Sequence, residues 1–459
     1  MKIFEINGGT PLFGTVETSG SKNITLAVMA GALLCKGVTT LKNVPNITDV
    51  HNMAKVTQSL GVECTFQENN TLIIDATEIK GELAEYKYVS KIRAGFNVLG
   101  PVLARQGHAA VSRPGGCNIG DRPVNLHILA LKKLGAREIE ATDKVEMVHN
   151  GLKGTTISFD TVTVGGTQHA VTGAVLAEGE TKIINASIEP EVTCLIDFLK
   201  NCGAEIKIDE QKSIIINGVK ELKGITYDIP FDRIEAGTYA SFAAITKADI
   251  TIEKVNPNHM EAFLYKMEEI GVKVTTEEDR IRFQAENRLK AANLSTGVFP
   301  GFPTDLQPAY STLMTVAEGV SRINENIFNG RFKFLSELQR MGANCDYTAH
   351  NAIITGVEKL NCAELESPDL RGGTALICAA LSAKGVSKIH DPNGFILRGY
   401  ENIVEKITNI KGEIKIIDDT EEPVSEIPSV TKPVSDNPDN SNVPENINSD
   451  TKNTNNTEV

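Results

Sequence analysis

The eight cysteines of this 459-residue chain are scattered, and no two of them form a CxxC pair. That absence argues against a zinc knuckle and a disulfide framework, and it favours reduced thiols in cytoplasm. The amino terminus lacks the basic and apolar stretches of a secretion signal, and the longest apolar run, residues 24 to 35, is too short to span a bilayer. We therefore expect a cytoplasmic protein with no membrane insertion.

The sequence also lacks the common signatures of metal and nucleotide sites. Its eight histidines form no HxH or HxxxH pair, and neither a Walker loop nor a GxGxxG fingerprint is present. We expect no metal ion and no cofactor. Basic residues are not in excess either, because the formal net charge is −13. Nucleic-acid binding requires many lysines and arginines to neutralise phosphates, so we expect no nucleic-acid partner.

The most acidic segment is the tail, residues 418 to 459, whose ten acids and two lysines leave a net charge of −5 for the rest of the chain. The tail is rich in Pro, Asn, Ser, Asp and Glu and has no aromatic residue. Such a composition cannot bury enough apolar surface to offset the entropy lost on ordering. We expect a disordered extension, while the remaining chain is long enough for two domains or more.

A sixfold repeat organises that remaining part. A helix-like run that ends in an apolar residue and glycine, followed by alternating strand residues, occurs six times, with glycines at positions 61, 135, 203, 271, 342 and 412. Glycine after an amphipathic run is the usual left-handed stop of a helix. Each repeat also opens with an apolar helix and a strand. The sequence therefore predicts six α/β units, each with two helices and several strands.

Polar residues lie at corresponding places in these units. At the start of the opening helices they are Ser21-Lys22-Asn23, Arg93, Thr167-Gln168, Glu235, Asp305 and Arg371. In the loop before the second helices they are Asp49, Cys117 with Arg122, Glu191, Arg331 and Arg398. Any one of them alone is more often an ordinary cap or surface residue. Several helix amino termini around one cleft make an anion site, however, and the basic side chains deepen it.

These residues resemble the UDP-N-acetylglucosamine enolpyruvyl transferases, relatives of the shikimate-pathway enolpyruvyl transferase. The resemblance covers residues 1 to 417, and it is carried by RPGGCNIGDRPVNLH (113–127), SGSKN (19–23), FPTDLQ (302–307), IFNGRF (327–332), SPDLRGG (367–373) and RGYE (398–401). It implies a two-domain inside-out α/β barrel with three units in each domain. Residues 22 to 230 would form the catalytic-loop domain, and residues 1 to 21 and 231 to 417 the second, with substrates bound between them.

The resemblance also implies an activity. A transferase of this kind moves the enolpyruvyl group of phosphoenolpyruvate onto the 3-hydroxyl of UDP-N-acetylglucosamine and releases phosphate, the first committed step of peptidoglycan precursor synthesis. Cys117, on a glycine-rich loop, would be the proton donor and the target of fosfomycin; Arg113 and Arg122 nearby could lower its pKa. Asp305 would act at the attacking hydroxyl as a general base or an orienting acceptor. We expect a monomer.

Substrate-binding residues follow from the same motifs. Lys22, Arg122 and Arg398 would hold the phosphate and carboxylate of phosphoenolpyruvate, for which arginine offers bidentate contacts and lysine a point charge. Lys22 and Arg398 thereby belong to the catalytic set with Cys117 and Asp305. The remaining substrate contacts that the resemblance implies are Asn23, Arg93, Pro123, Val124, Asn125, Leu126, Thr163, Val164, Ile327, Arg331, Asp369 and Arg371.

One departure from the family pattern bears on this site. The position directly before Arg398, where the family usually shows an acidic residue, is Leu397, so we expect Arg398 to lack an orienting carboxylate. Two alternatives stay open. One is a transferase with another acceptor, such as shikimate 3-phosphate, although that branch has an SKSxSxR-like start where this chain reads SKNITLA. The other is a catalytically weakened paralogue that binds the UDP-sugar and regulates cell-wall synthesis through its tail.

Overall fold

Six four-stranded sheets repeat along the chain in the computed structural model, which describes residues 1–113, 119–120 and 123–418. The α-helices of this part are α1 (Lys22–Ala32), α2 (Thr48–Ser59), α3 (Tyr86–Val89), α4 (Leu99–Gln106), α5 (Asn125–Lys133), α6 (Val164–Ala174), α7 (Pro190–Asn201), α8 (Arg233–Ile245), α9 (Glu261–Glu269), α10 (Gln307–Met314), α11 (Phe334–Arg340), α12 (Leu370–Ser382) and α13 (Ile403–Asn409). Short 3-10 helices cover Arg93–Val98, Pro257–His259, Thr304–Leu306 and Ile396–Arg398.

The strands of the described residues are two to seven residues long. They are β1 (Lys2–Gly8), β2 (Phe13–Glu17), β3 (Cys35–Lys36), β4 (Val38–Lys42), β5 (Glu63–Gln67), β6 (Thr71–Asp75), β7 (Leu83–Ala84), β8 (His108–Ser112), β9 (Arg137–Ile139), β10 (Lys144–Val148), β11 (Thr156–Ser158), β12 (Glu180–Ile184), β13 (Glu205–Ile208), β14 (Ile214–Asn217), β15 (Leu222–Lys223), β16 (Thr226–Asp228), β17 (Asp249–Glu253), β18 (Lys273–Thr276), β19 (Arg280–Gln284), β20 (Leu294–Ser295), β21 (Val320–Asn324), β22 (Asn344–Tyr347), β23 (Asn351–Thr355), β24 (Glu364–Glu366), β25 (Gly385–Asp391) and β26 (Glu413–Asp418).

All six sheets share one strand pattern. In the sheet ordered β7-β8-β10-β9, β7 and β8 run parallel, and β10 lies antiparallel between β8 and β9. The sheets β11-β12-β14-β13 and β20-β21-β23-β22 repeat this order. Parallel neighbours require a crossover connection, and in four of the sheets the opening helix of the unit lies in it; in the pairs β4–β16 and β2–β17 the parallel neighbour comes from a distant part of the chain. The predicted repeat of six α/β units is confirmed.

The amino-terminal strands complete sheets far along the sequence. β1 pairs antiparallel with both β25 and β26, and β2 runs parallel to β17. In return, β16 runs parallel to β4 in the first unit. The two chain segments that cross here are pinned together, because Ser21 N donates to Pro230 O at 2.8 Å and Asp232 N donates to Ser19 O at 2.9 Å.

The interior of each half is made of helices. One hydrophobic core draws its buried residues from Ile24 to Ile229, and the other from Phe4 to Val16 and from Ile234 to Ile414. Every residue of α8 is buried, whereas β17 alternates between buried and partly exposed residues. Helices therefore lie inside and open sheets cover them, which is the inside-out arrangement; no sheet within the described residues closes into a barrel.

The helix stops explain the regularity of the repeat, with one correction. The first five predicted glycines, from Gly61 to Gly342, have positive φ angles. The sixth assignment was wrong by one residue: Lys411 has φ 71°, and Gly412 is not in that region. An added Cβ on Gly412 would lie 2.4 Å from Ile407 Cγ2, so close packing accounts for that glycine.

No helix in the described ranges is long and apolar enough to cross a membrane.

Candidate functional site

Lys22 and Arg398, two of the cations predicted to hold the anionic substrate, lie on either side of Asp49. Lys22 begins α1 on the first core, and Arg398 ends a 3-10 helix on the second. Asp49 Oδ2 is 3.4 Å from Lys22 Nζ, and Asp49 Oδ1 accepts a 2.8 Å hydrogen bond from Arg398 Nε. The expectation that Arg398 lacks an orienting carboxylate is therefore wrong, because Asp49 supplies one from the first unit. Leu397 instead lines an open groove.

Asp305 is held by two arginines. Its Oδ1 accepts from Arg331 Nη2 at 2.7 Å, and its Oδ2 accepts from Arg371 Nη2 at 3.0 Å and Arg371 Nε at 3.3 Å. Burial alone would raise the pKa of Asp305, but Arg331, Arg371 and nearby Lys22 outweigh it and hold that pKa well below its usual range. A carboxylate so stabilised is a weak base. The geometry favours the orienting acceptor of the two roles predicted for Asp305.

The two groups form one site, which we name the cleft cluster: Lys22, Asp49, Asp305, Arg331, Arg371 and Arg398. Burial lowers the pKa of the Lys22 ammonium; Asp49 and Asp305 oppose that shift, while Arg371 and Arg398 add to it. These charges are thus close enough to act on one another. Four basic and two acidic side chains leave an excess of positive charge, which suits a small anion with more than one negative group.

The predicted nucleotide contacts, apart from Ile327, form a second region on the first core. Arg93 Nη2 donates to Pro123 O at 3.5 Å. The start of α6 is capped by Thr163 Oγ1, which accepts a 3.1 Å hydrogen bond from a backbone N–H of the first turn. Gly165 packs so tightly on His127 that an added Cβ would lie 2.2 Å from its Nε2. The starts of α5 and α6 are therefore neighbours.

The other predicted contacts on this core also lie at helix starts. Asn23 is half-buried beside Lys22 at the start of α1, and the residues at or next to the first turns of α5 and α6 are Val124, Asn125, Leu126 and Val164. Each of these positions lies at or next to a helix amino terminus, where backbone N–H groups favour an anionic diphosphate. Their contacts with substrate stay predictions.

The loop of the IFNGRF motif reaches across to the first half of the molecule. Ile327 is 39% exposed, and its backbone N–H donates to Glu325 Oε1 at 2.9 Å. Gly120 approaches Asn329 so closely that an added Cβ would lie 1.8 Å from Asn329 Oδ1. Residues 119–120 therefore lie against this loop. Cys117 and Arg122, predicted for catalysis and substrate binding, lie outside the described residues.

Comparison with known proteins identifies the family. The model of the EPSP synthase (3-phosphoshikimate 1-carboxyvinyltransferase) family matches residues 6–407. A UDP-N-acetylglucosamine 1-carboxyvinyltransferase from Campylobacter hominis is 43% identical over 417 residues, which is 90% of this chain and 99% of that protein. The protein of the same name from Wolbachia pipientis wMel is 41% identical over 423 residues, with 90% and 99% covered. The chain belongs to the UDP-N-acetylglucosamine 1-carboxyvinyltransferase family.

Solved structures related to this family share the fold. The enolpyruvyl transferase NikO from Streptomyces tendae aligns with a TM-score of 0.81 at 20% identity, covering 90% of this chain and 98% of that one. An EPSP synthase from Acinetobacter baumannii aligns with a TM-score of 0.70 at 19% identity, covering 91% and 100%. At such identities the likeness concerns the fold alone. It confirms the predicted two-domain fold of the enolpyruvyl transferases.

Two aspartates fix the helix starts that carry the cluster in this family member. Asp232 caps α8 with Oδ1 and accepts a 3.1 Å hydrogen bond from Lys22 N with Oδ2, so one carboxylate anchors the starts of α1 and α8. Asp369 caps α12 and so places Arg371; its predicted substrate contact stays a prediction. Asp232 was not predicted from the sequence, although the DxxE spacing to Glu235 is a helix-start signal.

Tyr400 was also missed, although it lies within the RGYE motif. Its hydroxyl accepts from Arg371 Nη1 at 2.8 Å and lies 3.0 Å from Thr238 Oγ1. The Arg371 guanidinium also lies over the Tyr400 ring, 5.3 Å from its centroid. Tyr400 thereby holds Arg371 toward Asp305. Membership of the motif was the only signal that the sequence offered for this role.

A buried ion pair joins the two halves beside the crossing segments. Arg233, at the start of α8, donates to Glu191 of α7 at 3.0 and 3.3 Å, and both side chains are less than a tenth exposed. Glu189 lies 3.7 Å from the same guanidinium. Burial raises the pKa of Glu189 to about 7; the like charge of Glu191 adds to the shift and Arg233 opposes it.

Among the described residues, no group of three or more His, Cys, Asp or Glu side chains could hold a metal ion.

Proposed function

We propose that this protein transfers the enolpyruvyl group of phosphoenolpyruvate to the 3-hydroxyl of UDP-N-acetylglucosamine and releases inorganic phosphate. The cleft cluster carries the proposal, because it gathers basic side chains from both cores into one group. Phosphoenolpyruvate presents a phosphate and a carboxylate within a few bond lengths, and such a ligand requires several fixed cations with few competing acids. The names of the relatives supply the acceptor.

The reaction would proceed by addition and elimination. A proton is added to the methylene carbon of phosphoenolpyruvate while the sugar oxygen bonds to the adjacent carbon and loses its own proton to solvent. Loss of phosphate together with a proton from the new methyl group then restores the double bond, and solvent returns a proton to the group that donated the first one. We assign the first proton to Cys117 and the placing of the sugar hydroxyl to Asp305, whose charge the two arginines fix. Lys22 and Arg398 would stabilise the departing phosphate.

The setting of the reaction is part of the proposal. We place the domain boundaries at residues 22 to 230 for one domain and at 1 to 21 with 231 to 417 for the other, and the two separate hydrophobic cores support this division. The tail outside both domains was predicted to begin at residue 418, but Asp418 ends β26 and pairs with Lys2, so we place its start at residue 419. A monomer in the cytoplasm, where nucleotide sugars and phosphoenolpyruvate are available, would suffice for the reaction.

A phosphate-release assay tests the function. The protein is mixed with phosphoenolpyruvate and either UDP-N-acetylglucosamine or shikimate 3-phosphate, and inorganic phosphate is measured. We expect phosphate release in the mixture that contains UDP-N-acetylglucosamine and none in the mixture that contains shikimate 3-phosphate. The amount of phosphate should equal the amount of enolpyruvyl product. Release with shikimate 3-phosphate alone would support another acceptor. Tight binding of the UDP-sugar without turnover would support the regulatory paralogue.

Fosfomycin gives a second test, aimed at Cys117. We expect saturating fosfomycin to stop phosphate release and to add one molecule to the chain at Cys117, because a thiolate opens the epoxide and forms a C–S bond. Intact-mass measurement and peptide mapping check both points. Cys362→Ser is the matched control, since Cys362 is an exposed thiol outside the cluster; this variant should be modified like the wild type, and Cys117→Ser should not. Active enzyme without any adduct would contradict the assignment.

A further inference from the structure

We propose that Asp49 is an internal competitor of the substrate: its carboxylate pairs with the same two cations that the phosphate of phosphoenolpyruvate must engage. The proposal rests on the proposed function for the identity of that anion. It assigns to Asp49 a role that none of the motifs of the family resemblance contains.

The contacts show how fully Asp49 is committed to the two cations. Its two carboxylate oxygens are divided between Lys22 and Arg398, at 3.4 and 2.8 Å, and its side chain is only 4% exposed. Asp49 lies in the first turn of α2, where the partial positive charge of a helix amino terminus stabilises a carboxylate. A buried, doubly paired carboxylate at this place behaves like a bound anion supplied by the protein itself.

The partners make the competition direct. Arg398 uses its Nε for Asp49, and the Lys22 ammonium is oriented toward the same carboxylate. A phosphate that approaches these cations meets a like charge within contact distance of both, and it must replace or share each of the two contacts. Asp49 therefore weakens the binding of phosphoenolpyruvate. It equally weakens the retention of the product phosphate, which favours release after the reaction.

Leu397 makes Asp49 more important in this chain than its position alone would. With an apolar residue before Arg398, Asp49 is the one carboxylate within salt-bridge distance of Arg398 among the residues that the structure describes. Because Lys22 lies on the first core and Arg398 on the second, this single carboxylate also spans the two halves of the site. The Asp49 carboxylate alone therefore pairs with both Lys22 and Arg398 and competes with the substrate for both.

Charge removal tests the proposal without relying on turnover. In Asp49→Asn the amide oxygen still accepts from Arg398, while the competing charge is gone. Titration with inorganic phosphate, followed by calorimetry, should show roughly fivefold to tenfold tighter binding than in the wild type, the size expected for one nearby charge. In the steady state, the KM for phosphoenolpyruvate should fall by a similar factor, while the KM for UDP-N-acetylglucosamine changes less than about twofold.

Two further variants complete the design. Asp49→Ser removes the same charge with a smaller side chain and should shift phosphate binding in the same direction. Glu261→Gln is the control, because Glu261 is an exposed acid in the first turn of α9, the second helix of its own unit; phosphate binding should not change. Unchanged or weaker phosphate binding in both Asp49 variants would overturn the proposal, and so would failure of both to fold, which would make Asp49 a structural residue.

The outcomes separate this proposal from the proposed function. If the wild type releases no phosphate with either acceptor, yet Asp49→Asn binds phosphate more tightly, the proposed reaction fails and the competitor role stands. If turnover is normal and phosphate binding does not tighten, the role of Asp49 fails and the reaction stands.

Discussion

Replacing Asp305 with Asn should lower kcat by about 100-fold or more, the usual effect of removing a group that handles the reacting proton or hydroxyl. Both oxygens of Asp305 accept from arginines, and an amide offers only one acceptor. The amide group of the variant would therefore turn an N–H donor toward Arg331 or Arg371, and the sugar hydroxyl would lose its charged partner. Steady-state phosphate release measures the loss.

Equilibrium binding separates this catalytic effect from a general loss of the site. We expect the affinity of Asp305→Asn for UDP-N-acetylglucosamine to stay within about threefold of the wild type, since most of the predicted nucleotide contacts lie on the other core. Asp279→Asn is the matched control, because Asp279 is a largely exposed acid on the same half of the molecule; it should keep full activity. A kcat near normal in Asp305→Asn would refute the role.

Replacing Arg233 with Met should lower the free energy of unfolding by about 3–5 kcal/mol, the usual cost of leaving a buried carboxylate without its partner. Arg233 and Glu191 are almost fully buried, and Glu189 depends on the same guanidinium. Urea unfolding at pH 8 measures the change. Adding Glu191→Gln to Arg233→Met should recover part of the loss, because it removes the orphaned charge.

The matched control is Arg282→Met, which breaks an ion pair of similar length at the surface. Arg282 donates to Asp249 at 2.6 Å, and its side chain is half exposed, so we expect a loss of at most about 1 kcal/mol. If the free energy of unfolding fell no further in Arg233→Met than in Arg282→Met, burial of the Arg233–Glu191 pair would contribute nothing to stability.

The effect of Arg233→Met should also depend on pH. The folded-state pKa of Glu189 is raised above its unfolded value, so the native state binds the extra proton between about pH 4.5 and pH 7. Stability from this group is therefore greatest at low pH and is lost as the pH rises through that window. Because protonation neutralises Glu189, the loss in Arg233→Met should be smaller at pH 5 than at pH 8.

The fold was predictable from the sequence where its signals are local. A glycine stop after an apolar run repeats along the chain, and the units could be counted from it. The sixth stop was misplaced by one residue because Lys411 adopts the left-handed conformation that glycine usually takes. The insertion of β1 between β25 and β26 leaves no local trace, since the pairing joins segments almost four hundred residues apart; it could be expected only through the family resemblance.

The candidate site was predictable as a set of residues and not as a set of contacts. Lys22, Asp305 and Arg398 were expected to meet, and the structure brings them together. The pairing of Asp49 with Arg398 depends on how two separately folded cores pack, which no periodicity encodes. The contacts of Asp305 with Arg331 and Arg371, which favour its role as an acceptor, likewise cannot be deduced from any periodicity of the sequence. The roles of Cys117 and Arg122 stay predictions.

The place of β1 sets the order in which the protein can be completed during synthesis. This strand is translated before the other strands of the described residues, yet both of its neighbours, β25 and β26, are translated after all the others. The half that draws its core from Ile24 to Ile229 has all of its strands long before that moment. In the nascent chain, β1 therefore stays unpaired after the half with the core from Ile24 to Ile229 has been translated. An unpaired strand with apolar residues is prone to aggregate, so the amino-terminal segment is where a chaperone would be needed most.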